Sequence, residues 1–472
     1  MTVWPLRFQP LPDSEKLLFV SDAGDFFRAE PSFLPRLSEG TLSRNEMNFL
    51  EKHGLTYRQR DDLDYTGFVV RWAQRLHVPA KLSYIILVPT LRCDLDCSYC
   101  QVSRVSQKAT GFDWSEERLQ QVLDWLDGLE TDRVKIEFQG GEPLLRLDLL
   151  ERVRSFCRSR FTMSQFVVCT NLQAVSAAAW EFLADPDTFI STSFDGTAAT
   201  HTRQRTQAPS ATRQLLDNIK FAMAQFGPDK ISALPTIDVK NAPEPAEIVA
   251  GFVALGFSSI FLRRVNHQGF ARKRHDARQS TSAWLAYHRR FIDAVIQHNA
   301  SHEQQIEEYY LAHILRRIMQ GGHNGHTDLR NPAWIARDLL LIDFDGTFYP
   351  TDEARMLTRV GVADLSIGSL SAGLDHERIS AFDSVSTNST DPDCIHCAYQ
   401  PFCGSDPVDD ISRYGRVDLP RHLTEHCRLH EGLFDLAFEL LYSPRPEVRA
   451  SVAGWLRTKN LPSALTPDLE QV

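Results

Sequence analysis

Cys93-Asp94-Leu95-Asp96-Cys97-Ser98-Tyr99-Cys100 follows the apolar run Tyr84-Ile85-Ile86-Leu87-Val88. Three cysteines in one short loop behind a strand-like run, spaced C-x3-C-x2-C, are the landmark around which the chain is organised. From Tyr84 onward short apolar runs alternate with amphipathic stretches, the pattern of βα units around a parallel sheet. Residues 84–88, 134–138, 165–169, 189–194, 231–237 and 258–263 read as strands. Helical patterns fall between them at 115–129, 147–159, 176–183, 211–226 and 245–255. Six such strands over this span predict an α/β fold with a partial (β/α)6 barrel, since a full eight-stranded barrel takes about 250 residues. The cysteine loop then lies at the C-terminal end of the first strand, where such barrels keep their chemistry.

Outside this core, at 80–280, four further segments are expected. Residues 1–79 read as a small α+β module, with strands at 17–20 and 26–28 around the turn Asp22-Ala23-Gly24 and helices at 30–37 and 43–53. Residues 281–336 form a helical linker, with one long helical stretch at 281–319 and then the Gly-rich loop holding His323 and His326, which reads as solvated. Residues 337–460 form a third domain that opens on a hairpin at 339–350 and ends in a helix at 431–441; residues 461–472 read as a tail.

The chain has 472 residues, 43% hydrophobic, and a formal charge of −10 from 51 Lys+Arg against 61 Asp+Glu. Disordered and fibrous classes are excluded. Without a long block of one sign, no phosphate-tracking groove is expected and nucleic acid is not a partner. The apolar runs fall far short of the roughly 20 residues that span a bilayer, and no signal-type h-region opens the chain, so a cytoplasmic protein without membrane contact is expected. In a reducing compartment, clustered cysteines more often hold metal than each other. The nine cysteines fall into a group of three, a group of four near the C-terminus, and the singles Cys157 and Cys169, which read as packing residues.

Three thiolates from one loop can bind three irons of a [4Fe-4S] cluster and leave the fourth without a protein ligand. Zinc or redox chemistry is the alternative, although zinc asks for a fourth ligand that residues 85–110 do not contain. With Tyr99 as the aromatic, the loop resembles the C-x3-C-x-aromatic-C motif of the radical SAM superfamily. The resemblance implies S-adenosylmethionine (SAM) on the open iron, reductive cleavage to a 5′-deoxyadenosyl radical, and hydrogen abstraction from substrate. Gly140-Gly141-Glu142 after the second strand is similar to the family's GGE segment, which implies contact with the SAM methionine ammonium. Ser191-Thr192-Ser193-Phe194-Asp195-Gly196 is similar to a segment that contacts the SAM ribose or carboxylate, with His201 and Arg205 following at a spacing also seen there. Thr170-Asn171 ends the third strand similarly, although Leu172 replaces the usual Gly. The implied cofactor contacts are therefore Tyr99, Gly140, Gly141, Glu142, Asn171, Ser193, Asp195 and Arg205, with no residue assigned to hydrogen or proton transfer.

Cys394, Cys397, Cys403 and Cys427 are spaced C-x2-C-x5-C-x23-C, which suits a closed metal site, zinc ribbon included. The pattern resembles the SPASM extension of radical SAM peptide maturases. Pro407 and Thr351 stand where that pattern has cysteines of a first auxiliary cluster, so the resemblance implies a single auxiliary [4Fe-4S] cluster on the four cysteines present. Leu340-Leu341-Ile342-Asp343-Phe344-Asp345-Gly346-Thr347 also matches the nucleophile loop of haloacid dehalogenase-like phosphatases. No succession of βα units follows it, and an acidic-Gly-aromatic-Tyr-Pro hairpin is common in SPASM regions at this place.

The stretches Leu18 to Phe26, Gly256 to Arg263 and Tyr349 to Met356 resemble the B-type radical SAM maturase of the His-Xaa-Ser peptide system. That implies a small precursor peptide as substrate, a second radical SAM maturase as partner, and an electron donor such as flavodoxin or ferredoxin. The N-terminal module resembles, weakly, elements that hold a leader peptide as an added strand. A sulfatase-type maturase and a non-catalytic iron-sulfur peptide scaffold are the alternatives.

Overall fold

The structure is a computed structural model; it describes all residues except 13, 80, 275–277, 279, 323–325, 463–464 and 470–472. His323 of the Gly-rich loop lies outside the described residues. The chain opens with strands β1 (Leu6–Pro10), β2 (Leu17–Ser21) and β3 (Phe26–Ala29), an antiparallel meander, followed by helices α1 (Phe33–Glu39), α2 (Arg44–Lys52) and α3 (Leu63–Arg75). A reciprocal capping box at Ser43 and Glu46 starts α2.

The α/β core follows in the order β4 (Tyr84–Leu87), α4 (Glu116–Asp127), β5 (Arg133–Phe138), α5 (Leu147–Arg160), β6 (Met163–Cys169), α6 (Ala177–Ala184), β7 (Thr188–Ser193), α7 (Pro209–Phe226), β8 (Ile231–Leu234) and α8 (Pro245–Ala254). Ser115 and Ser176 cap α4 and α6 by accepting from the amides of Arg118 and Ala179. Beyond the core come α9 (Thr281–Ser301), α10 (Tyr309–Met319), β9 (Leu339–Ile342), β10 (Phe348–Tyr349), α11 (Asp352–Arg359), α12 (Glu425–Leu441), α13 (Pro446–Trp455) and β11 (Asp468–Leu469). The main sheet runs β8-β7-β6-β5-β4-β9-β10, parallel except for the last strand. Along β5, Val134, Ile136 and Phe138 pack into the large core cluster, while Lys135 and Glu137 face the other side of the sheet.

Four sequence expectations need correction. The sixth parallel strand of the main sheet is not 258–263 but Leu339–Ile342, which pairs with Tyr84–Leu87. Residues 231–237 split at Pro235, which has no N–H to give a ladder, and 258–263 contributes only Ser259–Ile260 and Arg263–Arg264 to separate two-stranded pairs. The long helix at 281–319 is two helices, because the Asn299 side chain binds both backbone groups of Ile306 and turns the chain between them. The expected tail is in part a strand: Asp468–Leu469 lies parallel to β3, and Leu469 packs with Phe27 and Ala29.

No helix of the described residues is long and apolar enough to cross a membrane. Replacing Leu469, 8% exposed, by Ala should cost about 2 kcal/mol. Urea unfolding would read that loss; an unchanged midpoint would mean that the terminal strand adds nothing to the N-terminal module.

Candidate active site

The cysteine loop leaves β4 and is held from below by the turn after β5. Gly141 N–H donates to Thr90 carbonyl (3.0 Å) and Glu142 N–H to Arg92 carbonyl (2.7 Å). A Cβ on Gly140 would lie 2.2 Å from the Thr90 oxygen, and one on Gly141 2.1 Å from the Arg92 oxygen. The two glycines are thus required by backbone meeting backbone. Glu142, 4% exposed, accepts from the amides of Leu144 (3.1 Å) and Asn171 (2.8 Å), and burial pushes its carboxyl up to about 7. Asn171 at the end of β6 donates through Nδ2 to Asp94 (2.7 Å), with Cys93 Sγ at 3.9 Å. One loop is therefore pinned to the ends of β5 and β6.

Its other side is pinned to β7. The Tyr99 hydroxyl donates to both oxygens of Asp195 (2.7 and 2.9 Å), and Gln204 Nε2 (3.0 Å) and the Thr236 amide (3.2 Å) complete the carboxylate's shell. Asp195 is fully buried. Arg205 donates to the Tyr99 oxygen, lies 3.4 Å from Asp195, and has its guanidinium over the Tyr99 ring. Gln204 and Arg205 sit in a π-turn at Thr202–Thr206 whose Gln204 carbonyl receives the Ser98 amide at 2.8 Å. Burial keeps the Tyr99 phenol protonated and holds His201 neutral, down at about 4.

The donor set fits an iron-sulfur cluster. Three thiols from one loop couple electrostatically, Cys93 with Cys97 and Cys97 with Cys100, and Cys97 also feels the Arg205 cation. Among the described residues no three His, Cys, Asp or Glu side chains are gathered at metal-ligand distances, so the fit stands on donor type and coupling. Residues 87–248 match the Radical SAM superfamily. The chain carries a radical SAM domain.

The fold of this enzyme domain extends to solved structures. That of anSMEcpe with bound AdoMet superposes with a TM-score of 0.60 at 15% identity, over 79% of this chain and 99% of that one. Streptococcus suis SuiB bound to its precursor peptide SuiA gives 0.51 at 11% identity, over 91% and 100%. In sequence, an uncharacterized protein of Methanocaldococcus jannaschii is 27% identical over 38% of this chain and 61% of its own length. One of Methanothermobacter thermautotrophicus is 28% identical over 26% and 46%. The chain thus spans about half to three fifths of the curated relatives it matches.

Ser193 ends β7 half-buried, on the face of the main sheet shared with Glu137, Cys169 and Ser191 and opposite the large core cluster. Here sequence reasoning missed a feature. Cys157 packs in the hydrophobic core as expected, but Cys169 does not: its thiol lies 3.4 Å from Glu137 Oε1, which also accepts from Gln139 (2.7 Å), while Tyr84 donates to the other oxygen. The signal was available in the strand alternation, since Cys169 shares parity with Gln165 and Val167 and not with the core residues Phe166 and Val168.

The four C-terminal cysteines lie within electrostatic reach of one another. Cys403 is partly buried, and the thiols of Cys397, Cys427 and Cys394 all bear on it electrostatically. Thr424 caps α12 on the Cys427 amide (3.2 Å), and Arg421 braces the surrounding loops through Asp391 and Asp410, both at 3.0 Å. The phosphatase-like motif is the β9–β10 turn: Asp343 is fully buried, at 2.8 Å from Arg359 and 3.5 Å from Arg355. Glu308 caps α10 on the Leu311 amide and Glu307 pairs with Arg316.

Tyr99→Phe keeps the ring and removes the hydroxyl that satisfies Asp195. The expected loss is about 1–3 kcal/mol by urea unfolding, with lower iron retention after anaerobic reconstitution. Unchanged stability would show that the hydroxyl is not what holds the loop.

Proposed function

We propose that the chain is a radical SAM peptide maturase. Cys93, Cys97 and Cys100 hold a [4Fe-4S] cluster, Cys394, Cys397, Cys403 and Cys427 hold one auxiliary [4Fe-4S] cluster, and the substrate is a ribosomally made peptide of the His-Xaa-Ser system. The observation that carries this reading is the convergence of the three-cysteine loop, the Gly140-Gly141-Glu142 turn and Asn171 at the carboxyl ends of adjacent strands, within the span that matches the superfamily. When bound, cluster and SAM together supply reductive cleavage of the sulfonium and hydrogen-atom abstraction. The chain's own residues provide position and charge. Glu142, once ionised, would receive the ammonium of SAM beside the backbone of Gly140 and Gly141, and Asn171 and Ser193 would help hold its other polar groups. Tyr99, Asp195 and Arg205 fix the loop from behind, Asp195 acting through the Tyr99 hydroxyl that it accepts on both oxygens.

A peptide substrate is supported by the fold shared with SuiB, whose solved complex holds a precursor peptide. Residues 1–79 are assigned to leader recognition, 80–280 to the radical SAM barrel, 281–336 to the linker and 337–460 to a SPASM-like domain. An electron donor such as flavodoxin or ferredoxin supplies the reducing equivalent this activity needs, and the resemblance to the His-Xaa-Ser system adds a second radical SAM maturase as partner, in the cytoplasm.

Anaerobic reconstitution should give about eight irons per chain, the sum of two [4Fe-4S] clusters, and 5′-deoxyadenosine on adding dithionite and SAM. Cys97→Ala should abolish the product and remove about four irons; product formation untouched by this change would overturn the reading. SAM binding should carry a pH signature. Because Glu142 titrates at about 7 in the free protein and only its ionised form attracts an ammonium, affinity should fall up to about tenfold per unit as pH drops below 7. Glu142→Gln should bind more weakly and lose that slope, as isothermal titration would show.

A further inference from the structure

Where the chain beyond the short strand Arg263–Arg264 meets the helix Pro407–Tyr414, arginines gather. Arg272 Nη1 and Arg278 Nη2 both donate to the Ser412 carbonyl, at 3.0 and 2.5 Å. Arg413 gives its Nε to Asp409 at 2.6 Å and lies close enough to act electrostatically on both Arg264 and Arg278. Arg264 makes a single side-chain hydrogen bond, to Thr281 Oγ1 at 3.4 Å. Of these four guanidinium groups, only that of Arg413 has an ion-paired carboxylate among the described residues.

The other carboxylates nearby are already engaged. Glu425, which with Asp409 bears on Arg264, pairs with Arg428 at 3.1 Å, and Asp410 pairs with Arg421 at 3.0 Å. Asp406 is pushed up toward its neutral form by burial and by the adjoining Asp409, and Asp328 is half in solvent with His326 Nδ1 at 4.0 Å. A helix C-terminus attracts a cation, by about 0.3–1 kcal/mol, which accounts for one arginine on the Ser412 carbonyl. It does not account for the others. Burial and then the Arg413 charge hold both Arg264 and Arg278 below the usual arginine range, so the gathering is costly as it stands. An anion bound against it removes that cost.

The cluster is open to a ligand. Arg272 is exposed, and Arg264, Arg278 and Arg413 are half-buried. None of their nitrogens is both enclosed and unpartnered, so the N–H groups that make no bond in the protein have accessible surface. Arg264 and Arg413 also line a cavity of about 220 Å³. The segment that begins at Arg264 packs directly on the cysteine loop: a Cβ on Gly269 would lie 2.2 Å from the Gln101 carbonyl, and the Phe270 amide donates to the Cys100 carbonyl at 2.8 Å. One stretch of chain thus carries arginines of the cluster at both ends and touches the three-cysteine loop between them.

We propose that Arg264, Arg272, Arg278 and Arg413 form a docking site for an acidic stretch of the peptide substrate, whose side-chain carboxylates take the unmatched guanidinium edges. Guanidinium and carboxylate match as planar, two-pronged partners. The local excess of positive charge is opposite in sign to the formal charge of −10 on the whole chain, so it marks one place at which an acidic peptide is attracted. This assignment rests on the peptide-maturase reading and gives it a substrate class, a precursor peptide with clustered Asp or Glu.

The test uses the reconstituted full chain and isothermal titration with three probes: N-acetyl-triglutamate amide, N-acetyl-triglutamine amide and inorganic phosphate. The first should bind, more weakly as salt is raised, and the other two should not compete with it. Arg264→Gln and Arg278→Gln should each weaken its binding by about tenfold, the worth of one hydrogen bond between charged groups. Circular dichroism and iron content establish that each variant is folded, and Arg278→Gln, at a half-buried position, keeps the test open if Arg264→Gln does not fold. Equal binding of triglutamine or of phosphate, or binding unchanged in the folded variants, overturns the proposal. Formation of 5′-deoxyadenosine by the unsubstituted chain is read in parallel. Its absence with triglutamate binding intact overturns the maturase reading, and its presence without triglutamate binding overturns the assignment of the arginine cluster.

Discussion

One buried carboxylate organises the centre of this protein. Asp195 stands at the end of β7 with no exposed surface, and a lone carboxylate there would be expensive. It is stabilised by the Tyr99 hydroxyl, the Gln204 amide, the Thr236 amide and the nearby Arg205 guanidinium. Those partners come from the cysteine loop, the π-turn after β7 and the chain just beyond β8. Satisfying one charge thereby sets three segments relative to each other, and the aromatic of the cysteine motif is the side chain through which the loop takes its place.

A second constraint acts from the opposite side of the loop and is steric. The turn after β5 lies so close under residues 90–92 that neither of its two glycines has room for a Cβ. Glu142 and Asn171 then join the turn, the loop and the end of β6 by hydrogen bonds. Between these restraints the three thiols emerge from backbone fixed at both flanks, the kind of support a precise ligand set needs.

The ends of the chain contribute to the same assembly. β9 enters from beyond residue 330 and pairs with β4, the strand that launches the cysteine loop, so the main sheet joins the core to the region holding the second cysteine group. Arg7 of β1 donates to the Ile395 carbonyl beside Cys394, and Asp468–Leu469 completes the N-terminal sheet on β3. The sheet face near Glu137, Cys169 and Ser191 and a cavity lined by Asn266, His288, Glu353 and Ser405 are each bounded by residues from segments more than a hundred positions apart.

The sequence by itself determined the candidate ligand set and most of the local structure. Cysteine spacing, the GGE turn and the alternation of apolar runs are short-range patterns, so the cysteine loop, five of the six predicted core strands and the interleaved helices could be read directly. Where local rules competed, reading stopped short. Pro235 cut a strand that periodicity would have continued, and the Asn299 side chain broke a stretch with unbroken helical character. Only the tertiary structure decided that Leu339–Ile342 is the sixth parallel strand, that Cys169 meets Glu137 instead of the core, and that Asp195 is spent on Tyr99. The physical reason is the same in each case: strand pairing and the matching of a buried polar group are contacts between distant segments, and no window of sequence contains both partners.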